Sequence, residues 1–185
     1  NAKIRTIEDY IKNTIYYIDS YNPDLSDLSD ILSKRIANES GMIKLFIEMF
    51  NQQDIEHELV ITSDRFDLKF DQDFEANNFL DEYLFYFPEI DAYLSPVDLS
   101  SRLGFPTPEY TECYGLFIKK VAFGDFASGI GKIKYINGVN YQKNFDNIIV
   151  DVEFDKEDFT TTNLKIDRSS GGYYIKWLQP FMHIQ

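Results

Sequence analysis

The sequence predicts an α+β fold, with a helical N-terminal part, a buried central helix and a small all-β extension. Three patterns carry that expectation. Ile4, Ile7, Ile11, Ile15 and Ile18 recur at three- and four-residue steps, the spacing of one helical face, with Tyr10 beside the stripe. Met42, Ile43, Leu45, Phe46, Ile47, Met49 and Phe50 make the segment 40–52 apolar almost all round, as in a helix buried on most sides. Beyond Phe123 the chain turns to short alternating apolar runs separated by glycine and asparagine.

The elements follow in order. Pro23 is expected to break the first helix. The stretch 24–32 offers capping aspartates and serines and a short stripe, Leu25, Leu28 and Leu32. Residues 58–62 form a short β-branched strand, followed by a polar, acidic excursion over 63–78. Residues 79–87 and 90–94 read as two strands joined near Pro88-Glu89, and 95–98 ends the second. The loop Gly104-Phe105-Pro106-Thr107-Pro108 precedes a strand over 115–122. The window 123–131, with Gly124, Gly129 and Gly131, reads as a linker. After it, strands flank Asn137-Gly138, a type I′ hairpin signal. Residues 148–154 alternate with Asp151 and Glu153 outward, 160–166 forms another strand, and Gly171-Gly172 turns into a strand over 173–178 closed by Pro180. The expected organisation is a core at 1–122, a linker at 123–131 and a small β domain at 132–185.

The composition narrows the function. The chain has 185 residues, one domain or one domain with an appendage. Its 18 basic and 31 acidic residues give a net charge of −13, which repels a nucleic-acid backbone. Apolar residues at 44% and aromatics at 16% exclude a disordered chain. A single cysteine excludes an internal disulfide and a thiolate zinc site. No run reaches the ~18 apolar residues of a membrane span. The opening Asn1 and the absence of a signal peptide lead us to expect a piece of a longer or processed protein.

The residues offer little chemistry. Cys113 follows Glu112 at the start of a strand, a setting that raises a thiol pKa. His57 stands at a strand start and His183 near the chain end, so all three read as structural. Asp64, Asp67, Asp71, Asp73, Glu75, Asp81 and Glu82 lack the glycine and closing glutamate of a calcium loop. Interleaved with Phe66, Leu68, Phe70 and Phe74, they read as a solvated face. Gly129-Ile130-Gly131-Lys132 lacks Walker spacing and precedes a strand. No cofactor or metal is expected.

Three stretches carry a family resemblance. The first runs from Ile31 through Glu39-Ser40-Gly41 and the apolar helix to Ile61. The second runs from Asn77-Asn78-Phe79 to Ser95-Pro96-Val97, and the third joins Leu103-Gly104-Phe105-Pro106 to Gly115-Leu116-Phe117-Ile118. Their order resembles the transglutaminase-like (papain-like cysteine enzyme) superfamily, in its bacterial branch with flanking β domains. The resemblance covers roughly residues 4–122; the tail around Ser170-Gly171-Gly172-Tyr173-Tyr174 is similar to the β-sandwich extension of that branch. It implies a central helix packed on an antiparallel sheet. It also implies a catalytic cysteine at Glu39, with Ser40 one step away, a histidine at Asn78 and an aspartate at Ser95. All three positions depart from the triad. Asn78 cannot shuttle a proton, and Glu39 is a poor acyl nucleophile. The implied function is a non-catalytic module of an exported bacterial protein, periplasmic or at the cell surface. It would bind a protein, peptide or glycan in the former cleft. The alternatives are an active acyltransferase or hydrolase with a substitute set, such as Ser40 or a carboxylate pair, and a structural domain without ligand.

Overall fold

The computed structural model describes residues 1–68, 70, 80–123, 126–158 and 160–181. Helix α1 spans Ala2–Thr14 and buries Ile4, Ile7 and Ile11. The isoleucine stripe does not carry the helix to Ile18. The β-branched and aromatic run after Thr14 favours extended backbone, and it finds backbone partners. Strand β1, Tyr16–Tyr17, pairs in parallel with β2, Ile36–Ala37. Tyr16 N–H donates to the Arg35 carbonyl at 2.8 Å, and Ile18 N–H to that of Ala37 at 2.9 Å. Pro23 opens a 3-10 turn, Pro23–Ser26, capped by the Asn22 side chain. Helix α2, Leu28–Lys34, is capped by Asp27 and ends on Arg35 in the left-handed region. Its buried residue is Ile31; Leu32, expected on the apolar stripe, is 48% exposed.

Helix α3, Glu39–Gln52, is the central one. The Asn38 side chain accepts from Gly41 N–H at 2.9 Å and donates to the carbonyls of Ser20 and Asn22. Gly41 is required by close approach, because a Cβ there would collide with the Leu25 carbonyl oxygen. Met42, Phe46 and Phe50 are fully buried, as the all-round apolar pattern predicts.

The main sheet has five antiparallel strands in the order β5-β4-β3-β6-β7. They are β3 (Glu58–Thr62), β4 (Glu82–Phe87), β5 (Ala92–Leu94), β6 (Cys113–Phe123) and β7 (Phe126–Ile136). One face, with Leu59, Phe85, Phe87 and Leu94, packs against α3 and α1. The other holds a smaller cluster of Val60, Leu84, Tyr93, Cys113, Phe117 and Ile136. The fold is therefore α+β, with the central helix on an antiparallel sheet.

Three expectations in the C-terminal third are corrected. Residues 126–131, expected as linker, belong to β7 and pair with β6 in register, so the sheet crosses the expected domain boundary. Gly129 and Gly131 mark tight cross-strand packing rather than a break: a Cβ at Gly131 would lie 2.9 Å from Leu116 Cδ1, and at Gly129 3.0 Å from Ile118 Cγ2. Asn137-Gly138 makes no I′ hairpin. Neither residue has the positive φ that turn needs, and the chain enters a 3-10 turn, Tyr141–Lys143, capped by Asn140. The expected strand over 173–178 is a 3-10 helix, Gly172–Phe181, entered through Gly172 at φ 66°.

Strands β8 (Phe145–Phe154) and β9 (Thr162–Gly171) form a separate two-stranded antiparallel ribbon. The C-terminal 3-10 helix ties the ribbon's base to the core. Tyr173 N–H bonds the Asn144 side chain, its hydroxyl donates to the Pro106 carbonyl at 2.8 Å, and its ring meets Phe105 edge-on at 5.6 Å.

Candidate functional site

Glu39 is the first residue of α3 and half-buried; Ser40 beside it is exposed. A helix N-terminus ordinarily favours a carboxylate. Here burial comes first, and with the nearby Glu82, Asp19 and Asp81 it pushes the Glu39 carboxyl up to about 7. Burial also raises Glu82, opposed by a hydrogen bond from the Tyr110 hydroxyl. Tyr17 and Tyr83 are raised as well, by burial and then by the Glu39 charge. Glu39 at the N-terminus of α3 and Glu82 at the start of β4 thus lie near one another and near tyrosines, where Glu39 can hold a proton near neutrality and both can hydrogen-bond a polar ligand.

This corner has a testable signature. Glu39 binds its proton more tightly folded than unfolded, so its stabilisation is complete below 4.5 and lost as pH rises through about 7. E39Q should therefore match the native protein at the acid end of that window and exceed it at the alkaline end. After allowance for solvent screening the gain is about 1–2 kcal/mol. Denaturant titrations on both sides of the window check it; the same difference at both ends would remove the account.

The other expected residues do not assemble around Glu39. Asn78 and His183 lie outside the described residues, as do Asp71, Asp73 and Glu75. Ser95 is buried, and its Oγ accepts from Thr107 N–H at 2.8 Å and lies 2.9 Å from the Thr107 hydroxyl oxygen. Among the described residues no hydrogen bond joins it to Glu39. Cys113 is buried on the far side of the sheet, its Sγ 3.4 Å from Thr62 Oγ1. His57 lies on the helix side, its Nδ1 bonded to the Ile55 carbonyl and its ring 5.2 Å from that of Phe50. Burial lowers its pKa. The sheet separates thiol from imidazole, so these two form no nucleophile–base pair.

Ser95 belongs to a buried polar knot that sequence reasoning missed. Lys12 Nζ meets Glu8 Oε1 at 2.8 Å and donates to the Ser101 carbonyl and hydroxyl, each at 3.0 Å. Glu8 Oε2 accepts from Leu103 N–H at 2.9 Å. Asp98 accepts from Ser100 and Thr107 and pairs with Lys176 at 3.0 Å. Burial alone would raise the Asp98 carboxyl, but Ser100 and the Lys176 ammonium outweigh it and hold it at about 2. A signal for the ion pair existed: Glu8 and Lys12 stand four apart, directly between the isoleucines of the α1 stripe.

The most exposed apolar surface is on the ribbon. Its register pairs Ile148 with Arg168, Val150 with Ile166 and Val152 with Leu164. Opposite residues share a face. One face therefore presents Ile148, Val150, Val152, Phe154, Leu164 and Ile166, each 49–63% exposed. The only charges on that face, Asp146 and Arg168, close on each other through two hydrogen bonds of 2.8 Å. The reverse face carries Asp151, Glu153, Lys165 and Asp167, with Phe145 and Ile149.

In comparisons with models of known families, with curated proteins and with solved structures, nothing matched the chain. Among the described residues no helix is long and apolar enough to cross a membrane, and no group of three His, Cys, Asp or Glu side chains is set to hold a metal.

Proposed function

We propose that this chain is a non-catalytic protein-binding module, a transglutaminase-like core that has lost its triad positions and now serves recognition. The apolar face of the ribbon carries the reading. A two-stranded ribbon is marginal in water on its own, and an amphipathic one needs a second layer against its apolar side. The employment of Ser95, Cys113 and His57 in packing and loop bonding supports a scaffold role. The resemblance extends the proposal to an exported bacterial protein.

A photo-crosslinking residue at Val152, on the apolar face, tests it in the organism that makes the protein. A covalent protein adduct from position 152, with none from Asp151 on the reverse face, is the expected result. Equal adducts from both positions, or none from either, would reject the reading.

A second reading keeps the ligand at the start of α3, because Glu39 and Glu82 stand there among Tyr17, Tyr83 and Tyr110. Stacking rings with hydrogen-bonding carboxyls suit a peptide or glycan. Ring-proton shifts at Tyr17 and Tyr83 on titration with short peptides or oligosaccharides would support it.

A further inference from the structure

We infer that the partner on the ribbon's apolar face is a second copy of this chain, the two ribbons stacking face to face as a four-stranded sandwich. This rests on the protein-binding reading and names its occupant. Charge argues first. The chain carries −13, yet the apolar face is neutral, because Asp146 and Arg168 satisfy each other at its base. Two copies can bury it without stranding a charge. Their acidic reverse faces would point outward. Stacked sheets lie about 10 Å apart, so those charges would sit more than a screening length from each other.

The face also lacks what other occupants require. An anionic bilayer is recruited by lysine and arginine clusters, and the one arginine on this face is already paired. An unlike protein partner is ordinarily selected and oriented by complementary charge, and this face offers no unpaired charge to orient one. A twofold copy needs only shape and apolar contact.

Area argues second. Six half-exposed apolar side chains present on the order of 500 Å² per chain, so the pair buries about 1,000 Å², the lower bound for a specific interface. The product is a weak, reversible dimer. Each ribbon would gain the second layer that β-sandwiches use, its inner residues interdigitating with those of its mate.

Sedimentation velocity on the full chain, from low to high micromolar concentration, is the test. The expected result is a rise from 21.7 kDa toward twice that mass. Val150→Asp should weaken association on the order of a hundredfold, whereas Asp151→Asn on the reverse face should leave it unchanged. Near-UV circular dichroism of Val150→Asp should match the native protein, since the ribbon lies outside the main core. A monomer across the whole range overturns the inference, as does a dimer that survives both Val150→Asp and Ile166→Asp. The crosslink at Val152 separates the two readings. A self-adduct supports the copy; an adduct to a different protein overturns the copy and leaves the protein-binding reading standing; no adduct removes both.

Discussion

Lys12→Met should destabilise the protein by about 3–5 kcal/mol, the usual loss when one partner of a buried ion pair is removed. Glu8 and Lys12 side chains are each 1% exposed. Burial pushes the Lys12 ammonium below its ordinary range, and the Glu8 charge pulls it back up. Methionine fills much the same volume, so the loss comes from a stranded Glu8 carboxylate that retains only Leu103 N–H. It also takes one of two donors from the Ser101 carbonyl, which keeps the Arg102 guanidinium. The double variant Glu8→Leu/Lys12→Met removes both charges and should recover most of the stability, because a well-packed apolar pair often equals a buried ionic one. Urea midpoints of the two singles and the double close the cycle. If Lys12→Met costs less than about 1 kcal/mol, the knot does not hold α1 to the 95–107 loop.

Phe50→Ala should cost a similar 3–5 kcal/mol, by cavity formation instead of charge. Phe50 is fully buried, with ring centroids of Phe46, Phe85, Phe87 and His57 all within 5.6 Å. Its near-perpendicular contacts with Phe85 and Phe87 add edge-to-face attraction of about 0.5–1.5 kcal/mol each. Phe50→Leu keeps most of the volume and should lose less than half as much. For a domain of this size the alanine variant should melt on the order of 10 °C lower. His57 supplies an independent readout. Burial holds its pKa below 6.5, and a cavity beside it should admit water and return it toward that value. An unchanged His57 titration together with a small melting shift would mean that the helix closes over the gap.

The core was legible because burial leaves a periodic mark. The apolar pattern of α3 announced a central helix, and the β-branched run at 58–62 announced the strand β3. What escaped depends on partners distant in sequence. Residues after Thr14 leave the helix because residues 35–37 offer backbone groups to them. Glycines at 129 and 131 imitate a linker, since nothing local shows that Leu116 and Ile118 crowd across the strand. Glu39 could be placed at a helix start from sequence. Its raised titration could not, because it depends first on burial and then on Glu82 and Asp19, which the fold brings close. The ribbon strands were recognised, but Asp151 and Glu153 drew attention to the polar face; only the register with β9 shows that the opposite face is continuous and uncovered.

The buried knot also sets a timetable for synthesis. Lys12 waits for Ser101, 89 residues further along the chain, and Glu8 for Leu103, 95 residues further. At ribosomal elongation rates that separation lasts on the order of ten seconds. Through that interval α1 lacks these distant partners, and its two charges remain hydrated. An isoleucine-striped helix made ahead of its partners would otherwise present an unbroken oily face to neighbouring nascent chains. The pair that locks the finished domain thus keeps α1 polar along one edge until Ser101 and Leu103 arrive.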